Sequence, residues 1–196
     1  TTWIPLTDNM PFYSTGSITI DPNDSSRIWV GTGENVAGRH VGIGHGINLS
    51  KDSGSTWDNM GLKKSEHISK IIVHPDNSDI IWVASQGPLW NSGGDRGLFM
   101  SNDGGNTWSN KLYVNEWTGV TDIIIDPTNP DILYAATWQR HRNVASLIDG
   151  GPGTSIYKSI DGGNTWNKID SGLPSSNMGK IGLAISPMKP EVIYAA

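Results

Sequence analysis

Three glycine-rich stretches carry most of the side chains that could bind or transform a ligand. They span residues 33–46, 85–97 and 137–155, and a fourth, shorter stretch is VNEWTG at 114–119. The candidate ligand-binding residues in these stretches are Arg39, His40, Trp90, Arg96, Trp117, Trp138, Arg140, His141 and Arg142. Aromatic rings beside cationic and amide groups suit sugar rings and peptide side chains equally well. The competing interpretation is that these large insertions only cover the scaffold, with Trp90 and Trp138 packed inside them.

The same stretches hold carboxylates that could serve a hydrolase. A glycosidase needs two of them about 5–9.5 Å apart, and the catalytic candidates are Glu34, Asp95 and Asp149. No spacing rule pairs these residues across separate segments. The loop histidines lack the i,i+4 arrangement of a zinc motif and the chain has no cysteine, so we predict neither a metal site nor a cofactor.

Arg140 and Arg142 stand two residues apart. In an extended segment such residues face the same way, which would form a clamp for a carboxylate or a sulfate. The alternative is that one or both fasten their loop to Asp149 or Asp95.

A turn motif that occurs three times positions these loops. SKDSGSTW, SNDGGNTW and SIDGGNTW begin at residues 50, 101 and 159 and share the skeleton Ser-x-Asp-x-Gly-x-Thr-Trp. The Asp can accept backbone N–H groups, the Gly can adopt positive φ, and the Trp can pack between sheets. We therefore interpret the motif as structural and expect its tryptophans to be largely buried at equivalent positions. Its residues are Asp52, Gly54, Thr56, Trp57, Asp103, Gly105, Thr107, Trp108, Asp161, Gly163, Thr165 and Trp166.

A second signature precedes each copy of the first. IDPNDSSRIWV, VHPDNSDIIWV, IDPTNPDILYA and ISPMKPEVIYA align without gaps, and their prolines fall at 22, 75, 127 and 187. Each period of about fifty residues contains four short strand patterns, and helical periodicity is absent. Four strands in a period of this length are typical of a β-propeller blade, which predicts an all-β fold.

The repeats divide the chain into one continuous propeller segment. We place blades at about 17–66, 67–118 and 119–178, with partial blades at 1–16 and 179–196. Thr2-Trp3 matches the tail of another turn motif, and the last residues match a second strand. We expect a slice of a larger propeller, with an unusual fourth blade built from both ends as the alternative.

The turn motif resembles the Asp-box, or BNR repeat, of sialidases, sortilin-type receptors and xyloglucan-degrading hydrolases. GRHVGIGHGINLSKDSGSTW and LIDGGPGTSIYKSIDGGNTW resemble most the large secreted propellers of the sortilin-like kind, which are often labelled glycosyl hydrolases. The resemblance implies that the boxes are structural and far from the active face. It carries over no catalytic residue, because the Arg-Ile-Pro start of sialidases is missing and the hydrolases' aspartates do not align.

Strand parity sorts the loops onto two faces. Second-to-third connections and interblade stretches share one end of the strands, while the Asp-Pro turns and Asp-boxes share the other. Long, dissimilar loops on a regular scaffold are where binding is usually found. We predict an extracytoplasmic or secreted module that binds a glycan or a polypeptide through its long-loop face. An endo-acting, xyloglucanase-like glycoside hydrolase is the alternative, and a purely structural propeller is a third possibility.

Composition excludes other partners. The chain has 14 Lys and Arg against 19 Asp and Glu, a net charge of −5, which disfavours a nucleic-acid groove. No apolar run approaches the roughly 18 residues that a membrane helix needs, so we expect no membrane insertion. The remaining expected partner is the rest of a longer chain, which would supply further blades.

Overall fold

The computed structural model describes residues 2–196, and it consists of antiparallel sheets that follow one another along the chain. The first sheet contains β1 (Thr15–Asp21), β2 (Asp24–Thr32), β3 (Ile47–Ser50) and β4 (Asp58–Asn59). A 3-10 turn, Lys63–Ser65, leads to β5 (Ile68–His74), β6 (Asn77–Ser85), β7 (Gly97–Ser101) and β8 (Ser109–Leu112). Next come β9 (Thr118–Asp126), β10 (Asn129–Gln139), the short pair β11 (His141–Arg142) and β12 (Leu147–Ile148), β13 (Ile156–Ser159) and β14 (Asn167–Lys168). The last two strands are β15 (Leu183–Ser186) and β16 (Lys189–Ala195).

Each four-stranded sheet is a meander, and the sheets are arranged side by side. The strand orders are β1-β2-β3-β4, β5-β6-β7-β8 and β9-β10-β13-β14, and β15 pairs with β16 alone. The first strands are neighbours in space: the Thr19 hydroxyl donates to the Ile71 carbonyl at 2.8 Å, and the Ser69 hydroxyl donates to the Val120 carbonyl at 3.1 Å. The all-β architecture of propeller blades predicted from the repeats is therefore confirmed.

The core lies between successive sheets. Second strands are buried on both faces, which explains why they read as continuous apolar runs such as IWV. One cluster joins the first two sheets around Trp29 and Ile71, and a second joins the next two around Trp82 and Ile123. A third packs β15 and β16 against β9 and β10. Each blade depends on its neighbours for stability, because a single sheet cannot bury both of its apolar faces by itself.

The three Asp-boxes have one hydrogen-bonding pattern. In the middle box, Asp103 Oδ1 accepts from the Thr107 N–H at 2.9 Å and Oδ2 accepts from the Thr107 hydroxyl at 2.6 Å. The Gly105 N–H donates to the Ser101 hydroxyl at 2.8 Å, with φ of 89° at Gly105. Donation from the threonine hydroxyl and N–H, and then from the serine, lowers the pKa of Asp103 to about 2. The other two boxes repeat these contacts, so all three aspartates stabilise turns.

The box tryptophans are less buried than the expected largely buried positions. Trp57, Trp108 and Trp166 are only half-buried. Trp108 and Trp166 pack against the clusters between successive sheets, and Trp57 contacts Leu6 in the segment before the first sheet. Trp108 packs edge-on against Trp29, with ring centroids 6.4 Å apart. Its indole N–H donates to the Met60 carbonyl at 2.7 Å, so the ring links its own blade to the preceding one.

Apolar side chains remain exposed at both outer sheets. Ile18 and Ile20 of β1 are 66% and 58% exposed, and Tyr194 of β16 is 63% exposed. A groove of about 660 Å³ lies between parts of the third sheet and β15 and β16, with Tyr134 and Ile156 in its wall. Residues 2–14 form no strand. No helix among residues 2–196 has the length and apolar character needed to cross a membrane.

Candidate functional site: the loop face

Hydrogen bonds between turns fix the two faces of the molecule. On one face, each box turn lies on the first residues of the second strand of its own sheet. The pairs are Ser53 N–H to Ser26 O, Gly104 N–H to Asp79 O and Gly162 N–H to Asp131 O, at 2.9, 3.1 and 3.0 Å. We call this the box face. The loop face, at the opposite end of the strands, comprises residues 33–46, 63–67, 85–97, 115–117, 137–155 and 178–182.

Arg140 joins the three long loops. It is fully buried, with 0% exposure. Its Nη1 donates to the Val36 carbonyl at 2.5 Å, and its Nη2 donates to the Gly87 carbonyl at 3.2 Å. Its own backbone N–H donates to the Trp117 carbonyl at 3.2 Å. One side chain therefore fixes the loops of the first and second sheets to that of the third.

Arg96 organises the loop of the second sheet in the same way. It is 1% exposed, and its Nε donates to the Gly93 carbonyl at 3.1 Å. Its two terminal nitrogens donate to the carbonyls of Gln86, Trp117, Pro88 and Asn91, at 2.7, 3.3, 2.5 and 3.2 Å. All five N–H groups of a guanidinium are thus engaged. Neither Arg96 nor Arg140 offers the accessible ligand contact that the sequence suggests, since both are enclosed by backbone.

Trp138 is also inside the loop face instead of on it. It is 3% exposed, with Arg140 5.1 Å and the Lys180 ammonium 5.4 Å from its ring. A ring enclosed between cations cannot present a flat face to a sugar. The position of Trp138 therefore fits the interpretation that it packs inside its loop. It does not fit the interpretation that it is an aromatic platform for a ligand.

The expected clamp of Arg140 and Arg142 is not formed. Arg142 is half-buried, and its Nε and Nη2 both donate to the Ala37 carbonyl at 3.2 Å. Its backbone N–H donates to the Leu89 carbonyl at 3.0 Å. Both arginines fasten the third loop, but they do so through carbonyls and not through Asp149 or Asp95.

Aromatic surface remains accessible elsewhere on the loop face. Trp90 is 37% exposed. The rings of Trp117 and His141 are both half-buried and in contact, with centroids 4.1 Å apart and planes tilted by 41°. Arg39 and His40 are exposed, and Arg39 Nη2 donates to the Val144 carbonyl at 3.3 Å. These groups are the part of the predicted set that a ligand in solution can reach.

The predicted carboxylates have different environments. Asp95 Oδ2 accepts from the Lys64 N–H at 2.9 Å, so it holds two loop segments together. Glu34 is half-buried and Asp149 is exposed. Sequence reasoning missed Glu66, a half-buried residue with φ of 60° whose carbonyl accepts from the Gly44 N–H at 2.8 Å. Burial raises the pKa of Glu66, while Arg96 and Arg140 act in the opposite direction.

His67, beside Glu66, is a buried titratable group that the sequence does not reveal. It is 1% exposed, and neither ring nitrogen has a hydrogen-bond partner within residues 2–196. Burial, and then the charge of Arg140, lower the pKa of His67 to about 4, against weaker support from the Glu34 backbone. The histidine is therefore neutral in the folded protein at physiological pH.

Lys180 is the second residue missed. Its ammonium donates to the Asn35 carbonyl at 2.6 Å, beside a cavity of about 330 Å³ that Thr121 and Asp122 also line. Strand parity could have found it, because Lys180 stands in an interblade stretch and those stretches lie on the loop face. No group of three or more His, Cys, Asp or Glu placed to hold a metal occurs in the described part of the chain.

The fold and its turns define an Asp-box propeller segment. Comparison with known families adds that the model described as "Sortilin, neurotensin receptor 3" (Sortilin-Vps10) matches residues 45–180. The chain belongs to this Sortilin-Vps10 family.

Curated relatives carry enzyme names. The chain is 25% identical over 184 residues to the oligoxyloglucan-reducing end-specific xyloglucanase of Emericella nidulans, covering 85% of this chain and 20% of that protein. It is 27% identical over 193 residues to xyloglucanase Xgh74A of Acetivibrio thermocellus, covering 86% and 22%. The chain thus spans about a fifth of the length of these relatives.

Two solved structures share the fold. An ancestral GH74 enzyme superposes with a TM-score of 0.65 at 21% identity, covering 100% of this chain and 23% of that one. The GH74 xyloglucanase from Xanthomonas campestris gives 0.61 at 16% identity, covering 92% and 26%. At these identities the likeness concerns the fold alone.

Proposed function

We propose that the loop face binds a glycan, as one segment of an extracytoplasmic Asp-box propeller. The observation that carries the proposal is that some candidate residues of the loop face are buried and others are accessible. Arg96, Arg140 and Trp138 are buried and hold the loops together, whereas Trp90 and the Trp117–His141 pair remain accessible. The names of the curated relatives, all xyloglucanases, favour a glycan over a polypeptide.

Aromatic rings held at the surface suit this task. A sugar ring presents C–H groups on one face and hydroxyls at its edges, so it stacks on an indole while hydrogen-bonding to polar neighbours. The loops that hold Trp90 and Trp117 are fixed by the buried arginines. Little ordering entropy then remains to oppose binding.

Binding can be tested with single tryptophan variants. Trp90→Ala and Trp117→Ala should each weaken retention in affinity electrophoresis through xyloglucan and through polygalacturonate. Trp3→Ala is the matched control, because Trp3 is 91% exposed and lies outside the loop face. Equal retention of all three variants and the unmodified chain, or no retention in any gel, would count against the proposal.

Hydrolysis is a second candidate function, favoured by the enzyme names of the relatives. Glu34, Glu66 and Asp149 are the loop-face carboxylates to test. Glu66 is the acid candidate, since a general acid needs a raised pKa. Reducing-end release from xyloglucan by the unmodified chain, lost in Glu66→Gln, would support this role. Release that is unaffected by Glu66→Gln, Glu34→Gln and Asp149→Asn would exclude these residues.

Polypeptide binding is the remaining candidate, and the name of the Sortilin-Vps10 family favours it. A panel of peptides offered at the same concentrations as the glycans would separate the two ligand classes. Retention of peptides without retention of any polysaccharide would replace the glycan proposal.

A further inference from the structure

Three consecutive carbonyl groups of the first loop accept hydrogen bonds from three cations. The Asn35 carbonyl accepts from Lys180 at 2.6 Å, the Val36 carbonyl from Arg140 at 2.5 Å, and the Ala37 carbonyl from Arg142 at 3.2 Å. We call residues 35–37 the carbonyl strip. Consecutive residues advance by at most about 3.3–3.6 Å, so the strip holds three positive charges close together.

Within residues 2–196 these cations have no carboxylate partner. The salt bridges of residues 2–196 are Arg27–Asp21, Lys70–Asp122 and Lys168–Asp170, and none involves the strip. Glu66 and Asp149 lie near enough to influence Arg140, but neither is paired with it. Carbonyl dipoles solvate a guanidinium without cancelling its charge. A buried cation in a low-dielectric region therefore projects its field further than an exposed one would.

Neighbouring groups respond to this field. After burial itself, the charge of Arg140 is the next cause of the lowered pKa of Lys180, ahead of the opposing charges of Asp122 and Asp149. Arg140 likewise lowers the pKa of His67. Both effects have the sign expected for a site of positive potential.

The distribution of charge over the whole chain agrees. The loop-face segments contain seven basic residues, namely Arg39, Lys63, Lys64, Arg96, Arg140, Arg142 and Lys180. They contain five acidic residues, namely Glu34, Glu66, Asp95, Glu116 and Asp149. The loop face is therefore net +2, whereas the remaining seven basic and fourteen acidic residues give the rest of the chain −7. A face of opposite sign to its protein attracts ligands of the protein's own sign.

Donors remain available to such a ligand. Lys180 uses one of its three N–H groups, and Arg142 Nη1 makes no hydrogen bond within residues 2–196. Arg39 is exposed beside the strip, where its single bond to Val144 leaves most of its guanidinium open. The Trp117–His141 pair adjoins Arg142 along the chain, so a charged group and aromatic surface lie together.

We infer that the glycan bound by the loop face is acidic, and that Arg39, Arg142 and Lys180 contact its carboxylate or sulfate groups. The inference rests on the proposed glycan function and specifies the class of ligand. A charge-assisted bond from an accessible guanidinium or ammonium to such an anion is stronger than a bond to a neutral hydroxyl. An acidic sugar would also supply a negative charge close to the three cations that the carbonyl strip binds.

The experiment compares three polysaccharides: polygalacturonate as the uronate, heparin as the sulfate ester and xyloglucan as the neutral glycan. Kd would be measured at about 50 mM and 500 mM NaCl, because screening weakens charged contacts selectively. The variants are Arg39→Gln and Lys180→Gln. Lys51→Gln, an exposed lysine on the box face, makes the same change of charge where no binding is expected.

The expected result is tighter binding of an acidic polysaccharide than of xyloglucan, weakened by salt. Each loop-face variant should raise the Kd for the acidic ligand about 10-fold and change the Kd for xyloglucan much less, and Arg39→Gln should leave the melting temperature unchanged. Lys51→Gln should change neither. Preference for heparin or for polygalacturonate assigns the anion as sulfate or carboxylate.

Other outcomes separate this inference from the function on which it rests. Equal, salt-independent binding of xyloglucan and the acidic ligands would overturn the inference and leave glycan binding intact. Acidic binding that Lys51→Gln weakens as much as the loop-face variants would show non-specific attraction and overturn it too. Absence of binding to all three polysaccharides would overturn both.

Discussion

The indole N–H of Trp57 donates to the carbonyl of Leu6 at 2.9 Å. Leu6 stands three residues after Trp3, as Met60 stands three residues after Trp57, and the Met60 carbonyl accepts from Trp108 at 2.7 Å. The first box therefore contacts residues 2–14 as the second box contacts the first blade. Although those residues form no strand, Leu6 meets the first box as Met60 meets the second.

Loss of a box tryptophan should destabilise the stack of blades. Trp108→Ala removes a half-buried ring that packs on Trp29 and leaves the Met60 carbonyl without its donor. We expect a loss of about 3 kcal/mol in the free energy of unfolding, measured by urea denaturation. Trp3→Ala should stay within about 0.5 kcal/mol, and similar losses in both variants would contradict the interblade role.

Acid should weaken the Asp-boxes at a defined pH. Asp103 has a pKa of about 2 in the fold against 3.8 as the reference value, because Thr107 and Ser101 donate to its charged form. A depressed pKa contributes stability above about pH 3.8 that is lost as the pH falls towards 2. Thr107→Val removes the hydroxyl that donates at 2.6 Å, so the pKa of Asp103 measured by NMR should rise. A pKa that stays near 2 would assign the shift to other donors.

His67 should make the fold sensitive to milder acid. Its pKa is about 4 in the fold against 6.5 as the reference value, so the unfolded chain binds its proton first. Stability should fall as the pH drops from about 6.5 to 4 and change no further from this source below 4. The shift corresponds to about 3 kcal/mol. His67→Phe should flatten that part of the stability curve, whereas His40→Gln, at an exposed site, should leave it unchanged; an unaltered curve in His67→Phe would refute the assignment.

The regular parts of the molecule were predictable, and the reason is repetition. The motif that contains Asp103 and Thr107 occurs three times with the same spacing, so one motif predicted three turns. The antiparallel order of the strands predicted that the long loops lie on one face. The irregular parts were not predictable from local pattern. Nothing near Arg140 in the sequence indicates a carbonyl acceptor 104 residues earlier, and arginines of this kind are usually exposed. The short β11–β12 hairpin also depends on such distant contacts.

Arg140 should hold the long loops of the loop face together. Arg140→Met removes the donor that joins the Val36 and Gly87 carbonyls and leaves the buried Gly87 acceptor without this partner. We expect a loss of about 3 kcal/mol in the free energy of unfolding, together with faster amide exchange in residues 33–46 and 85–97. Arg39→Gln is the control, because Arg39 is exposed and its single bond to Val144 should contribute little to stability. If Arg140→Met lost ligand affinity while melting and exchange stayed unchanged, Arg140 would be a ligand contact after all, and the loops would be held together by Arg96 and the backbone.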